Sequence, residues 1–304
     1  MPIASHTLIS KWEPLPAPAC KLAESPRFCD SQWFWVDIDG QQLFRCTTAD
    51  LHAVTEKMIE SIQLPDQIGC VLPGEDKNQF TLFGRQGVYQ LTWTVNQTLI
   101  KAIHLSPFDT TTHRFNDGRA DLKGRAWIST LSDVRQPNAA LYLIDRSQIR
   151  KQYEPLIVGN GLAFSPNYQF MYLADTRQKK IWRFELNLEL GTLSHQELFA
   201  DYCHEHTARP DGATVTANGD YLVAIYEGYR LDRYNPNGQL IEQFDVPLAR
   251  PTMPCLGGPN GHQLLITAAA PSGKFQNHKG FEHCSLIFAE TTLTALTENC
   301  FTSV

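Results

Sequence analysis

The stretch "WFWVDIDGQQLFR", Trp33–Arg45, has two counterparts further along the chain, "FMYLADTRQKKIWR" at Phe170–Arg183 and "YLVAIYEGYRLDR" at Tyr221–Arg233. Each holds a run rich in β-branched and aromatic residues that ends near Asp37, Asp175 or Ile225. A short polar turn follows, and a second such run reaches an arginine eight residues on, at Arg45, Arg183 or Arg233. Alternating apolar runs broken by Gly, Asn and Asp are the signature of antiparallel strands joined by tight turns. Each stretch therefore predicts a hairpin of one size.

Fainter copies fill the intervals. "QFTLFGRQGVYQLT" places Leu82 at the equivalent position, "GRAWISTLSD" places Ile128 there, and "HQLLITAAA" places Thr267 there. The anchors 37, 82, 128, 175, 225 and 267 are separated by 45, 46, 47, 50 and 42 residues. Six units of that length, each with room for four short strands, predict an all-β chain folded as a six-bladed β-propeller. A β-sandwich has no reason to repeat so regularly. We expect one domain over residues 1–304, its ring closed by pairing of "ASHTLISKW" near the start with "CSLIFAET" near the end, which leaves no open edge. Only "DLHAVTEKMIESI" has helix-compatible spacing.

The composition allows this and limits the partners. A chain of 304 residues with 42% apolar and 19% charged residues can bury a large core. A net charge of −6 with no basic block argues against nucleic acid or an anionic membrane as the partner. No apolar run approaches the roughly 20 residues that cross a bilayer, and the start lacks an export signal, so a cytoplasmic location is expected. The eight cysteines are scattered singly, with no Cys-x-x-Cys, which predicts reduced thiols rather than disulfides or a zinc site. His204 and His206 in "CHEHTARPDG" could share one face of a strand, but two histidines make an incomplete metal site.

A pattern of oxygen-bearing residues repeats in step with the anchors. Glu24 precedes its anchor by 13 residues, Asn116 by 12, Asn160 by 15 and Asp211 by 14. The two other units have Gly69 or Cys70, and Thr252 or Met253, near that phase. In a propeller this phase is the start of the innermost strand, so these side chains should meet at one mouth of the channel. Asn-Gly and Asp-Gly also form ordinary turns, but Glu24 in "AESP" is no turn former. Two carboxylates and two amides brought together form an oxygen-rich set suited to a hard divalent cation, which would relieve the repulsion between the acids.

At these residues the sequence resembles the senescence marker protein 30, gluconolactonase and luciferin-regenerating enzyme family, six-bladed propellers that include sugar lactonases and regucalcin. The matching pieces are "LAESPRF", "HRFNDGRADLKGRAWIST", "GNGLAFSPNYQFMYLADT", "RPDGATVTANGDYLVAIYEG" and "ARPTMPCLGGPNGHQLLITAA", in family order over roughly residues 20–270. The resemblance implies one divalent cation (Ca, Zn, Mn or Mg) held by Glu24, Asn160 and Asp211, with Asp211 also the catalytic general base. It implies that Arg114 and Asn116 contact the substrate, and that an acidic substrate contact falls in "TLSDV" at Asp133 or Val134. The glycine usual before the metal-binding glutamate is Ala23 here, and "PSGKFQNHKGFEHC" departs from the usual approach to the last strand. The implied activity is metal-dependent hydrolysis of a sugar lactone to its aldonic acid. Its rivals are hydrolysis of another ester or a phosphotriester, and a calcium-binding regulatory propeller without catalysis.

Overall fold

The computed structural model describes residues 8–145 and 148–302. Its strands form six four-stranded antiparallel sheets, five of them from strands consecutive in sequence. The innermost strands are Ala23–Cys29, Ile68–Pro73, His113–Ala120, Gly159–Phe164, Arg209–Val215 and Pro251–Gly257. Each packs against the next, and the sixth returns to the first, so the sheets form a closed ring around a channel. The chain is an all-β six-bladed propeller. The sixth blade takes its outer strand, Glu13–Pro14, from the other end of the chain; it pairs with Phe288 and Ile287. Ile9 bridges to Thr291 beside it. The first four residues of "ASHTLISKW" lie outside the described residues.

The residues that recur at the anchors have distinct structural duties. Asp37 accepts backbone N–H bonds from Lys21, Leu22 and Gly40. Asp175 accepts them from Ile157, Val158, Arg177 and Gln178. A carboxylate at the end of the second strand thus satisfies the donors of the segment that enters the blade, donors that would otherwise be buried without partners. The arginine eight residues later works outward. Arg45 pairs with Glu60 on the outer strand of its own blade and donates to the Trp93 carbonyl of the next. Arg183 repeats this with Glu197 and the Pro236 carbonyl, and Arg233 pairs with Glu242 and Asp220.

Between blades the cores are aromatic and aliphatic, with Trp33, Trp35, Trp127, Tyr172 and Tyr221 essentially inaccessible to solvent. The helix expected in "DLHAVTEKMIESI" does not form. Leu51–Ala53 and Glu56–Met58 are single 3-10 turns, and Ile59–Gln63 is the outer strand of the first blade, paired with Gln42–Cys46. The exposed edge of the third strand, with its unpaired backbone groups, outweighs a weak helical preference there. His204 and His206 are exposed in the loop between the fourth and fifth blades, with no shared strand face. All eight cysteines are free. Among the described residues no helix is long and apolar enough to cross a membrane.

The two ends of the channel differ. One opens into a cleft of about 320 Å³ lined by Glu24, Arg114, Asn116, Asn160 and Asp211 among others. Over the other lies residues 296–302. There Glu298 forms ion pairs with Arg119, at 2.5 Å, and with the fully buried Arg27, at 3.5 Å. Asn299 donates to the Ala120 carbonyl, Phe301 N–H donates to the Pro73 carbonyl, and its ring packs on Phe83.

Candidate active site at the channel mouth

All six inner strands carry a register shift at the same place, the feature that aims the mouth residues inward. The shifts fall between Glu24 and Arg27, Ile68 and Cys70, Phe115 and Gly118, Asn160 and Ala163, Pro210 and Ala213, and Pro251 and Met253. A bulge leaves a residue outside the ladder and turns its side chain away from the alternating faces of the strand. Glu24 and Asn160 border such shifts, while Gly69, Asn116, Asp211 and Thr252 lie within them. Backbone at φ +57° follows Asn160 at Gly161, and in the first blade Ser25 takes up φ +50° after Glu24. Ser25 is held there by its hydroxyl, which accepts from Val71 N–H at 3.0 Å.

The bulged residues are joined across blades. Arg114 donates to the Asn116 side-chain oxygen at 2.6 Å, and Asn116 donates to the Asn160 oxygen at 3.0 Å. Asn160 donates in turn to Asp211 Oδ1 at 2.5 Å and to Thr176 at 2.8 Å. Three blades thus share one line of hydrogen bonds, buried at every member. Glu24 faces this line from the first blade. Asp133 also lines the cleft, half-exposed and paired with Arg85 at 2.8 Å, whereas Val134 points to solvent. The six residues singled out from the sequence therefore line a single cleft.

The acids there are crowded. Burial, then the charge of Asp117, raises Glu24 to about 8; burial, then the charge of Glu24, holds Asp211 well above the carboxylate range. Burial also pushes the Arg114 guanidinium down. Asp117, the middle residue of Asn-Asp-Gly, is not among the residues singled out from the sequence. It is buried beneath the mouth, where its carboxylate accepts from Gly118 and Leu162 N–H. Arg135, Arg177, Arg209 and Tyr226 complete the rim. They come from loops and strand ends with no shared phase, so spacing along the chain carried no sign of them. Among the described residues no three His, Cys, Asp or Glu side chains gather as a ready metal cage; the oxygen set at the mouth is two carboxylates with amide groups.

Residues 22–270 match the family model described as the SMP-30/Gluconolactonase/LRE-like region. The chain belongs to this family. It is 31% identical to a 6-deoxy-6-sulfogluconolactonase of Pseudomonas putida over 238 residues, 78% of each chain. It is 28% identical to regucalcin of Danio rerio over 247 residues, 79% of each. In three dimensions it is similar to a luciferin-regenerating enzyme, with TM-score 0.85 at 17% identity over 97% of this chain and 99% of the other, a likeness of fold. The family match ends at residue 270, so the segment that covers the far end of the channel lies beyond it.

Proposed function

We propose that this protein hydrolyses a sugar lactone to the open-chain acid, with Asp211 as general base and a divalent cation bound beside it. The observation that carries this reading is the buried line Arg114, Asn116, Asn160, Asp211, facing Glu24 in one cleft of a gluconolactonase-family chain.

The donor set suits such a cation. Burial raises the proton affinity of both Glu24 and Asp211, and the charge of Glu24 raises Asp211 further, so ionising both here is costly without a counter-charge; hard oxygen ligands match Ca²⁺, Mg²⁺ or Mn²⁺, and carboxylates also bind Zn²⁺. Glu24, Asp211 and the Asn160 amide would hold it. When bound, it would supply Lewis-acid polarisation of the lactone carbonyl. Asp211 takes the proton of the attacking water as the new C–O bond forms, and returns it to the ring oxygen as the ring C–O bond breaks. Arg114 and Asn116 keep the sugar in place, and because their side chains are tied to one another they contribute orientation without further ordering on binding.

The test is acid release in a pH-stat from a panel of five- and six-membered sugar lactones, with and without chelator and with each cation restored. We expect release that chelator stops and a cation restores. No release from any lactone would leave a binding propeller as the better reading, and release indifferent to chelator would remove the cation from it.

A second expectation follows from the crowded acids. Their proton affinities are higher in the folded protein than in the unfolded chain, so between about pH 4.5 and 8 the folded state binds more protons. The stability of the metal-free protein should therefore fall as pH rises through this window. A divalent cation should raise Tm more at pH 8 than at pH 5, since at pH 5 it must displace those protons. Thermal melts across pH with and without cation would check this, and a cation effect independent of pH would contradict it.

A further inference from the structure

Most arginines of this protein have found an acid. Among the described residues nine of them, including Arg27, Arg85, Arg119 and Arg209, sit in ion pairs. Four arginines line the catalytic cleft, Arg114, Arg135, Arg177 and Arg209. Arg209 is neutralised by Glu227 at 2.8 Å, and Arg114 is tied into the floor through Phe115 and Asn116. The guanidiniums of Arg135 and Arg177 are exposed at the rim, and neither makes an ion pair or a side-chain hydrogen bond among the described residues.

Two further features point the same way. Arg135 and Arg177 come from loops of neighbouring blades, the third and the fourth, and both face the same opening. Partial burial, then the charges of Arg135 and Arg209, pull the Arg177 proton affinity down, against an opposing pull from Glu227, whose carboxylate is already paired with Arg209. Arg135 also holds φ +57° at the end of a turn closed by its N–H to the Ser132 carbonyl, a backbone conformation that suits Gly or Asn better than Arg. An arginine in this backbone conformation whose side chain makes no internal ion pair or hydrogen bond is poorly explained by stability.

We infer that the lactone this protein takes carries a fixed negative charge, a phosphate, sulfonate or carboxylate, which Arg135 and Arg177 bind at the rim while the lactone ring lies on the floor of the cleft. Planar guanidinium forks match all three anions, and two of them from separate blades fix both the position and the direction of the group. The charge belongs at the end of the substrate remote from the reacting carbonyl, since Asp211 and Glu24 are buried and the two arginines are not. This inference rests on the lactonase reading, and its test separates the two.

The experiment compares kcat/KM for D-glucono-1,5-lactone with that for its 6-phosphate, its 6-deoxy-6-sulfonate and the 1,4-lactone of D-glucaric acid, using the metal-loaded protein. At least one charged lactone should exceed the neutral one by about 10-fold to 100-fold, mainly through a lower KM, with the advantage shrinking as salt is added. The three charged arms tell phosphate, sulfonate and carboxylate apart. In Arg135→Gln/Arg177→Gln the ratio of charged to neutral kcat/KM should collapse towards one, and Arg177→Lys should restore part of it. Arg150→Gln, the same change of charge on the exposed outer strand of the third blade, should leave the ratio as it was. Equal kcat/KM for neutral and charged lactones, or a ratio that ignores both arginines, overturns the inference. If no lactone is opened at all, the lactonase reading falls, and calorimetry with sorbitol and sorbitol 6-phosphate decides the rim by itself. Tighter binding of the phosphate that depends on Arg135 and Arg177 upholds it, and no preference overturns it.

Discussion

Asp211→Asn should lower kcat for lactone opening by a factor of about 10² to 10⁴, the range ordinarily lost with a general base, while the fold stays intact. The exchange keeps the side chain's shape and keeps the Oδ1 that accepts the Asn160 hydrogen bond. It removes a carboxyl group whose ionised form is disfavoured by burial and by the charge of Glu24. The metal-free variant should therefore melt no lower than the parent at neutral pH, and melt higher if relief of that repulsion dominates. The rise in Tm on adding a divalent cation should shrink, since one of the proposed ligands has lost its charge. Kinetics and melts on the same preparation read both sides. A variant that turns over lactone within a few-fold of the parent would take the proton-transfer role away from Asp211, and one that unfolds would show its carboxylate to be structural.

Glu298→Ala is expected to be the most destabilising single change at the opposite end of the channel. Arg27 is fully buried, and Glu298, itself 7% exposed, is the carboxylate within ion-pair distance of it. Removing one partner of a buried pair leaves the other charge uncompensated, at a cost of about 3–5 kcal/mol. The Arg27 Nε already lacks a hydrogen-bond acceptor, so little spare capacity exists to absorb the loss. Glu189→Ala, which breaks the exposed pair with Lys123, should cost less than about 1 kcal/mol. Arg27→Met added to Glu298→Ala should recover part of the stability, as an apolar side chain of similar length needs no counter-charge. Chemical denaturation of these three variants and the parent measures this. Equal effects of Glu298→Ala and Glu189→Ala would show that water reaches Arg27 in the folded state.

The readable part of this protein was the part that repeats. The hairpins around Asp37 and Asp175 announced themselves because one carboxylate and one arginine recur at fixed spacing for fixed structural reasons, closing the entry to a blade and tying its outer strand, and the hairpin around Ile225 keeps the arginine without the carboxylate. Glu24, Asn116, Asn160 and Asp211 were legible for the same reason, as they occupy one phase of one kind of strand. What escaped was set by the third dimension alone. Arg135 and Arg177 sit in loops whose lengths differ, Asp117 stands in an inner strand one residue beyond the phase that Asn116 occupies, and Glu298 acts on Arg27 across 271 residues of sequence. The segment around Glu56 misled in the other direction: its local spacing suits a helix, and only the neighbouring strand, invisible in a short window, draws it into a sheet.

Gly69 bears on how such a ring can be redesigned or can diverge. A β-carbon placed there would lie 2.2 Å from the Phe115 carbonyl oxygen and 2.8 Å from the Asn116 Cα, so the backbone that carries Asn116 fills the space a second-blade side chain would need. The ring has sixfold architecture, but its second blade has no room for a side chain at this phase, and new chemistry grafted onto this scaffold must be written into other blades.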